Sequence, residues 1–161
     1  QPEEALTGQQ YDCYPASGSF VVRTPSFFLF AGTGASRGTR IAGLVGVEID
    51  RPYPSSSTPR PLEVPSLSAA SCRGRRTWSA FTYVAPRDGA GTVAVGTMNW
   101  VRALVDPQPR YGITASGALF VQRVTANLLQ EMAAGPMGVT HPSHDDLPEL
   151  DLPATSTVGG P

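Results

Sequence analysis

The residues that could do chemistry are few and widely spaced along the chain. Glu48 is the one interior charge in Ile41–Asp50, an apolar and glycine-rich run that predicts a β-strand. A carboxylate in such a strand is costly unless it is paired, hydrogen-bonded or bound to a metal. Two interpretations stay open: Glu48 faces outward or pairs with Arg40 or Arg51, or it is a metal ligand or acid–base group.

Both histidines lie near the end of the sequence, in the cluster HPSHDD at residues 141–146. This cluster could bind a divalent metal, although its spacing matches no strong template, and a flexible acidic tail is the alternative. The body, residues 8–137, contains no histidine. A Ser-His-Asp or Cys-His arrangement would therefore require the tail to fold back onto the body.

The glycine-rich stretch AGTGASRG, residues 31–38, could cradle a phosphate or be a plain loop. It has neither a Walker lysine nor the full dinucleotide-binding spacing, which favours the plain loop. Cys13 and Cys72 allow at most one internal disulfide. If the pair is bridged, we expect a location outside the cytosol, extracellular or at the cell surface; if both thiols are free, we expect the cytoplasm.

The length and composition of the chain limit its possible partners, its domain number and its relation to a membrane. The chain has 161 residues, a net charge of −1 and 12 basic residues, all of them arginine. The absence of a basic stripe argues against a nucleic-acid partner. No apolar run reaches the length that a membrane span needs. The length predicts one domain, and the first residue is Gln1 rather than methionine, which we interpret as a processed or truncated chain.

The spacing of the apolar residues predicts the strands and helices that must position these side chains. Thr92–Val95, flanked by glycines, is typical of a strand buried on both faces. Leu62–Val64 predicts an edge strand, since Pro65 argues against a central one. Phe27–Phe30 fits either a strand or a buried turn of helix. Ser116–Ala134 follows a helical period that a Gly-Pro pair ends, and it predicts a buried Leu128.

Strand, glycine corner and helix together predict an α/β fold with an open sheet. Several strands are apolar on both faces, but the sequence offers only one convincing amphipathic helix to cover them. We therefore expect residues 1–161 alone to aggregate or to form oligomers, because exposed apolar patches are rare on soluble monomers.

Two stretches carry a family resemblance. One is LVGVEID at residues 44–50, which follows FAGTG at residues 30–34. The other is GTVAVGTMNW at residues 91–100, followed by the helical residues 121–129. Their order and spacing resemble the C-terminal region of the N,N-dimethylformamidase large (β) subunit-like family over residues 5–137. We divide the chain into residues 1–137, the C-terminal part of such a domain, and residues 138–161, a tail rich in Pro, Gly and Asp.

The resemblance implies a glutamine-amidotransferase-like α/β sandwich with a β-rich insertion, of which this chain holds only the C-terminal part. Dimethylformamidase-like members hydrolyse small amides at an iron held by two tyrosines and a glutamate. Those tyrosines would lie upstream of Gln1. Glu48 is the first candidate for the glutamate, and Glu4 is the second. Iron is thus expected in the complete protein and not on this chain alone.

Two functions follow as hypotheses. In the first, the chain is part of an amide hydrolase that the upstream half of the same protein or another subunit completes. In the second, it is a non-catalytic module of the same fold that binds or assembles at a cell surface.

Overall fold

The computed structural model describes residues 3–105, 107–150 and 152. Within these residues, five strands form one antiparallel sheet in the order β2-β1-β3-β4-β5. The strands are β1 (Gln10–Val21), β2 (Arg40–Arg51), β3 (Glu63–Cys72), β4 (Arg75–Val84) and β5 (Thr92–Ala94). The helices are α1 (Glu4–Thr7), α2 (Asn99–Val105), α3 (Ala115–Ala134) and α4 (Met137–Thr140). The mixture of helix and strand is as predicted, whereas the sheet is antiparallel and curled.

The curl brings the two ends of the sheet together. Ile49 of β2 forms an antiparallel bridge with Thr97, which follows β5. The Asp50 amide donates to the Gly96 carbonyl at 3.1 Å, and the Met98 amide donates to the Glu48 carbonyl at 3.3 Å. Gly96 has a φ of +61°, a conformation that glycine adopts readily, and it turns the chain toward β2. The apolar runs therefore bury one another inside the curl.

An aromatic cluster fills the interior. Its neighbouring ring centroids lie between 5.3 and 6.4 Å apart, in tilted and edge-on pairs. The cluster comprises Phe20, Phe27, Phe30, Phe81, Trp100 and Phe120. The predicted helix is confirmed as α3, and the Thr114 hydroxyl accepts the Gly117 amide at 3.1 Å as its N-cap.

The apolar stripe of α3 is buried only in part. Its buried residues all lie between Gly117 and Val124. The prediction of a buried Leu128 is confirmed only in part, because this side chain packs against the core cluster but stays partly exposed. Leu129 and Met132 are more than half exposed, so the second half of the helix makes fewer contacts with the core.

Two predictions about strands are wrong. β3 is a central strand despite Pro65, because the pairing with β4 shifts register between Glu63 and Ser66. The Pro65 carbonyl still accepts the amides of Arg23 and Thr24, at 2.8 and 3.1 Å. β5 lies at the end of the sheet and is half-buried, whereas the sequence predicts burial on both faces.

The run Phe27–Phe30, for which the sequence left a strand and a turn of helix open, leads into a short helical turn. Phe28–Phe30 is a turn of 3-10 helix, so the helical alternative for that run is confirmed. Asn127 of α3 holds this turn, because its amide group donates to the Leu29 and Ala31 carbonyls, both at 2.9 Å. None of the helices in the described ranges has the length and apolarity that crossing a membrane requires.

Cys13 of β1 and Cys72 of β3 form a disulfide between neighbouring strands. Both residues are buried. Closing a loop with a sequence separation of 59 stabilises the fold by roughly 4 kcal/mol in the chain-entropy model. The bridge is consistent with a location outside the cytoplasm.

Candidate functional site

The first candidate region lies where β2 ends beside residues 96–98. Glu48 is half-buried there. Burial raises the pKa of Asp50, and the negative charges of Glu3, Glu48 and Asp12 add to the shift, which brings the pKa to about 6. We call these four residues the carboxylate end. A carboxyl group with such a pKa exchanges its proton near neutral pH, and any cation placed beside it would relieve the repulsion.

Asp12 has a structural role within the carboxylate end. Its carboxylate pairs with Arg51, whose Nε lies 3.0 Å from Oδ1. The same carboxylate accepts hydrogen bonds from Tyr53, at 2.9 Å, and from Thr77. Arg51 also lies 4.2 Å from the centroid of the Tyr53 ring, so these residues form one network that fixes the end of β2.

Glu4, the second candidate for the glutamate, lies in α1. Its side chain is buried, with 6% exposed, and Oε1 accepts the Ser55 hydroxyl at 3.3 Å. The other carboxylate oxygen, Oε2, has no hydrogen-bond partner among the described residues. Glu4 does not act on the pKa of Asp50, whereas its neighbour Glu3 does.

The described part of the chain does not fit an iron site by itself. Within it, no group of three or more His, Cys, Asp or Glu side chains is arranged to hold a metal ion. Glu3, Asp12 and Glu48 all act on Asp50 through their charges, but no three of these four carboxylates are arranged as the ligands of one metal ion.

The second candidate region is built by residues 136–150, which we call the C-terminal strap. The Ser143 amide donates to the Ala85 carbonyl, and the Ser143 hydroxyl accepts the Ala85 amide, both at 3.0 Å. Asp146 pairs with Arg23 at 2.7 Å, and Asp145 pairs with Arg60. The strap therefore folds back onto the body. Only in this way can the two histidines contact side chains of the body.

The strap brings both histidines to a pocket of about 280 Å³. We call it the histidine pocket; its walls include Phe28, Glu63, Tyr83, His141 and His144. The His141 ring stacks on Phe28 with 4.0 Å between centroids, and its Nε2 lies 3.3 Å from Glu131 Oε2. The Tyr83 hydroxyl donates to the His141 carbonyl at 2.6 Å. The sequence gives little sign of Glu63, whose one signal is a charge within an apolar segment.

Burial controls the acid groups of the histidine pocket. It raises the pKa of Glu63, while the hydrogen bond from the His144 amide and the nearby imidazole lower it in part. Burial also raises the pKa of Tyr83, and the charges of Glu63 and Glu131 add to the effect. Burial therefore favours the protonated forms of Glu63 and Tyr83 in this pocket.

The contacts of residues 141–146 and of the glycine-rich loop argue against metal binding at the first and phosphate binding at the second. Asp145 and Asp146 form ion pairs with arginines, and no metal-binding group of three such side chains occurs in the described ranges, which argues against metal binding as the role of residues 141–146. In the glycine-rich loop, the Ala35 amide donates to the Thr33 hydroxyl and the Ser36 amide donates to the Thr39 hydroxyl. These amides are therefore occupied within the loop, as the plain-loop interpretation predicts.

The comparison with protein families gives one match. The model of the family described as N,N-dimethylformamidase beta subunit-like, C-terminal, matches residues 1–112. The matched range covers β1 to β5 and α2. It includes the two stretches that carry the resemblance, at residues 30–50 and 91–100. The helical residues 121–129, which the resemblance includes, lie beyond the matched range. No curated protein and no solved structure matched the chain.

The chain is a mixed α and β protein built on a curled antiparallel sheet, and one family model matches most of it. The chain belongs to the N,N-dimethylformamidase beta subunit-like family, in its C-terminal domain.

Proposed function

We propose that this chain is the C-terminal part of an amide hydrolase similar to dimethylformamidase, completed by an upstream segment or by a partner chain. The observation that carries this proposal is the family match over residues 1–112. The reaction would be hydrolysis of the C–N bond of a small amide. The family description names a β subunit, which supports assembly with another subunit or a second copy of the chain.

The curled sheet would supply the β-rich part of a glutamine-amidotransferase-like fold, whose remaining layers belong to the complete protein. The carboxylate end is the place where we expect this chain to meet the active site. Burial, together with the negative charges of Glu3, Glu48 and Asp12, raises the pKa of Asp50 to about 6. Cationic groups from a partner would therefore bind there favourably.

Iron is assigned to the complete protein only, with Glu48 as the first candidate for a ligand from this chain and Glu4 as the second. Both tyrosine ligands would come from upstream residues. Glu48 lies beside Asp50 at the end of β2, whereas Glu4 is a buried carboxylate in α1. A location outside the cell, or at its surface, agrees with the Cys13–Cys72 disulfide.

The test compares Glu48→Gln with Glu149→Gln in the complete protein. Glu149 is an exposed partner of Arg23 and serves as the matched control. We expect the wild type and the control to contain about one iron per chain and to release dimethylamine from N,N-dimethylformamide. We expect Glu48→Gln to lose the metal, because removing a charged ligand leaves the others unable to hold it.

The alternative is a non-catalytic binding or assembly module with the same fold. A complete wild-type protein without iron and without amide hydrolysis would favour it. If Glu48→Gln keeps its iron and Glu4→Gln loses it, the second candidate replaces the first. Sedimentation of residues 1–161 alone tests the need for a partner: oligomers or aggregates support it, and a stable monomer argues against it.

A further inference from the structure

A groove of about 430 Å³ lies on a part of the chain that adjoins the carboxylate end in sequence, since its lining includes Val47 and Asn99. Its lining comes from β1, β2, α2 and the segment that leads to α3. The lining residues used below are Tyr14, Gly46, Val47, Asn99, Arg102 and Tyr111. Arg102 is the only charged side chain among the described residues that line the groove.

The guanidinium of Arg102 is held from two sides. Its Nη1 donates to Asn99 Oδ1 at 2.9 Å, and its central carbon lies 3.9 Å from the centroid of the Tyr111 ring. Asn99 is buried, with 4% exposed, and its Nδ2 donates to the Gly43 carbonyl at 2.8 Å. The head group is thus fixed before any ligand arrives, which lowers the entropy lost on binding.

Among the residues that the structure describes, none neutralises the charge of Arg102. No carboxylate in the described ranges forms an ion pair with it. Within those ranges, no acceptor takes a hydrogen bond from its Nε or Nη2. A guanidinium presents its donors as a planar fork that matches both oxygens of a carboxylate.

The backbone beside Arg102 is shaped around this arrangement. A Cβ atom at Gly46 would lie 2.4 Å from Asn99 Nδ2, so only glycine lets Asn99 approach β2 this closely. Val47, on the groove wall, has a φ of +69°, which a β-branched residue rarely adopts. Strained positions of this kind cluster at ligand sites. Tyr14 and Tyr111 add exposed aromatic surface to the same wall.

We propose that this groove binds a small organic carboxylate with an apolar or aromatic body. Its carboxylate would take the free edge of the Arg102 fork, and its body would contact Tyr14, Val47 and Tyr111. The volume falls within the size range of small-molecule sites. The ligand class does not depend on amide hydrolysis, and binding can be measured without turnover.

The test is calorimetric titration of the complete protein with benzoate and hexanoate, with benzamide as the neutral analogue and sulfate as a plain anion. We expect both carboxylates to bind at least about tenfold more tightly than benzamide or sulfate, since only they satisfy the fork and the apolar wall together. Arg102→Gln should lose this preference, and Arg102→Lys should weaken it, because lysine lacks the fork.

Arg110→Gln is the matched control. Arg110 also lies over the Tyr111 ring, at 5.7 Å, but it does not line the groove. We expect this variant to bind both carboxylates as the wild type does. Absence of binding, equal affinity for sulfate or benzamide, or unchanged binding by a folded Arg102→Gln variant would each overturn the proposal. Thermal unfolding without ligand shows that every variant is folded.

Discussion

The interior of the curled sheet and the C-terminal strap are stabilised by different proportions of apolar and polar contacts. The interior is an aromatic cluster with near-complete burial; Phe20 and Phe81 are each 1% exposed. The strap has only two buried apolar anchors, Met137 and Leu147. It depends in addition on hydrogen bonds and ion pairs at Ser143, Asp145 and Asp146. Apolar burial is large and tolerant of detail, whereas polar contacts are smaller and depend on each partner. The interior therefore determines whether the chain folds, and the strap determines whether the histidine pocket exists.

The largest expected effect is in the interior. Phe81→Ala should lower the free energy of unfolding by about 3–5 kcal/mol, because it removes buried area and leaves a cavity. The exposed Leu119, 65% accessible, gives the matched control, and Leu119→Ala should change stability by less than about 0.5 kcal/mol. Urea unfolding measures both. Similar costs for the two variants would show that the interior is not the main source of stability.

Loss of the disulfide has the second-largest expected effect on the free energy of unfolding. Replacing both Cys13 and Cys72 by serine should lower stability by about 2–4 kcal/mol, since the unfolded chain gains freedom. Alkylation of the wild type should label neither cysteine, native or denatured, until a reductant is added. Labelling after denaturation alone would show free thiols and would remove the support for a location outside the cytoplasm.

The strap should show an intermediate effect. Ser143→Ala leaves the Ala85 amide and the Pro61 carbonyl without their hydroxyl partner, and it should cost about 1–3 kcal/mol. Ser56→Ala, at an exposed serine, is the control and should be nearly neutral. We expect hydrogen exchange to increase in residues 136–150 more than in β4. A uniform increase over the whole sheet would mean that the strap and the interior unfold together.

The smallest effect concerns Asp50. Its folded pKa, raised from 3.8 to about 6, means that the native state binds the proton more tightly than the unfolded chain does. This contribution to stability is full below pH 3.8 and is lost as the pH rises to about 6. Asp50→Asn should remove this dependence and stabilise the protein at pH 7 by about 1 kcal/mol, after allowance for solvent screening. Unfolding at pH 4 and pH 7 measures the difference, and an unchanged pH dependence would contradict the assignment.

The comparison also explains which parts of the fold are predictable. β2 and α3 carry apolar periods that burial imposes, and both appear in the sequence. β1 and β3 do not, because Pro15 and Gly18 interrupt one and Pro65 and several serines interrupt the other. Register shifts in the pairing of β1 with β2 and of β3 with β4 accommodate these residues, and such shifts leave no periodic signal.

The sites are less predictable than the fold. Glu48 attracts notice as a charge in an apolar strand, but nothing near it in sequence indicates Glu3 or Asp12. The histidine pocket joins Glu63 to His144 across 81 positions, and the groove joins Tyr14 to Arg102. These contacts between residues far apart in sequence depend on the curl of the sheet and on the path of the strap. A period of two or of 3.6 residues gives no information about either.

The bridge between Ile49 and Thr97 has a consequence for association between molecules. An unpaired strand edge is a template on which another chain can add a strand, and this is a common route to aggregation. Here residues 96–98 already hydrogen-bond to the Glu48–Asp50 part of β2. Strand addition is therefore blocked along that part. We expect any partner that meets the chain there to bind through side chains, such as the acidic groups beside the bridge, and to leave the sheet unextended.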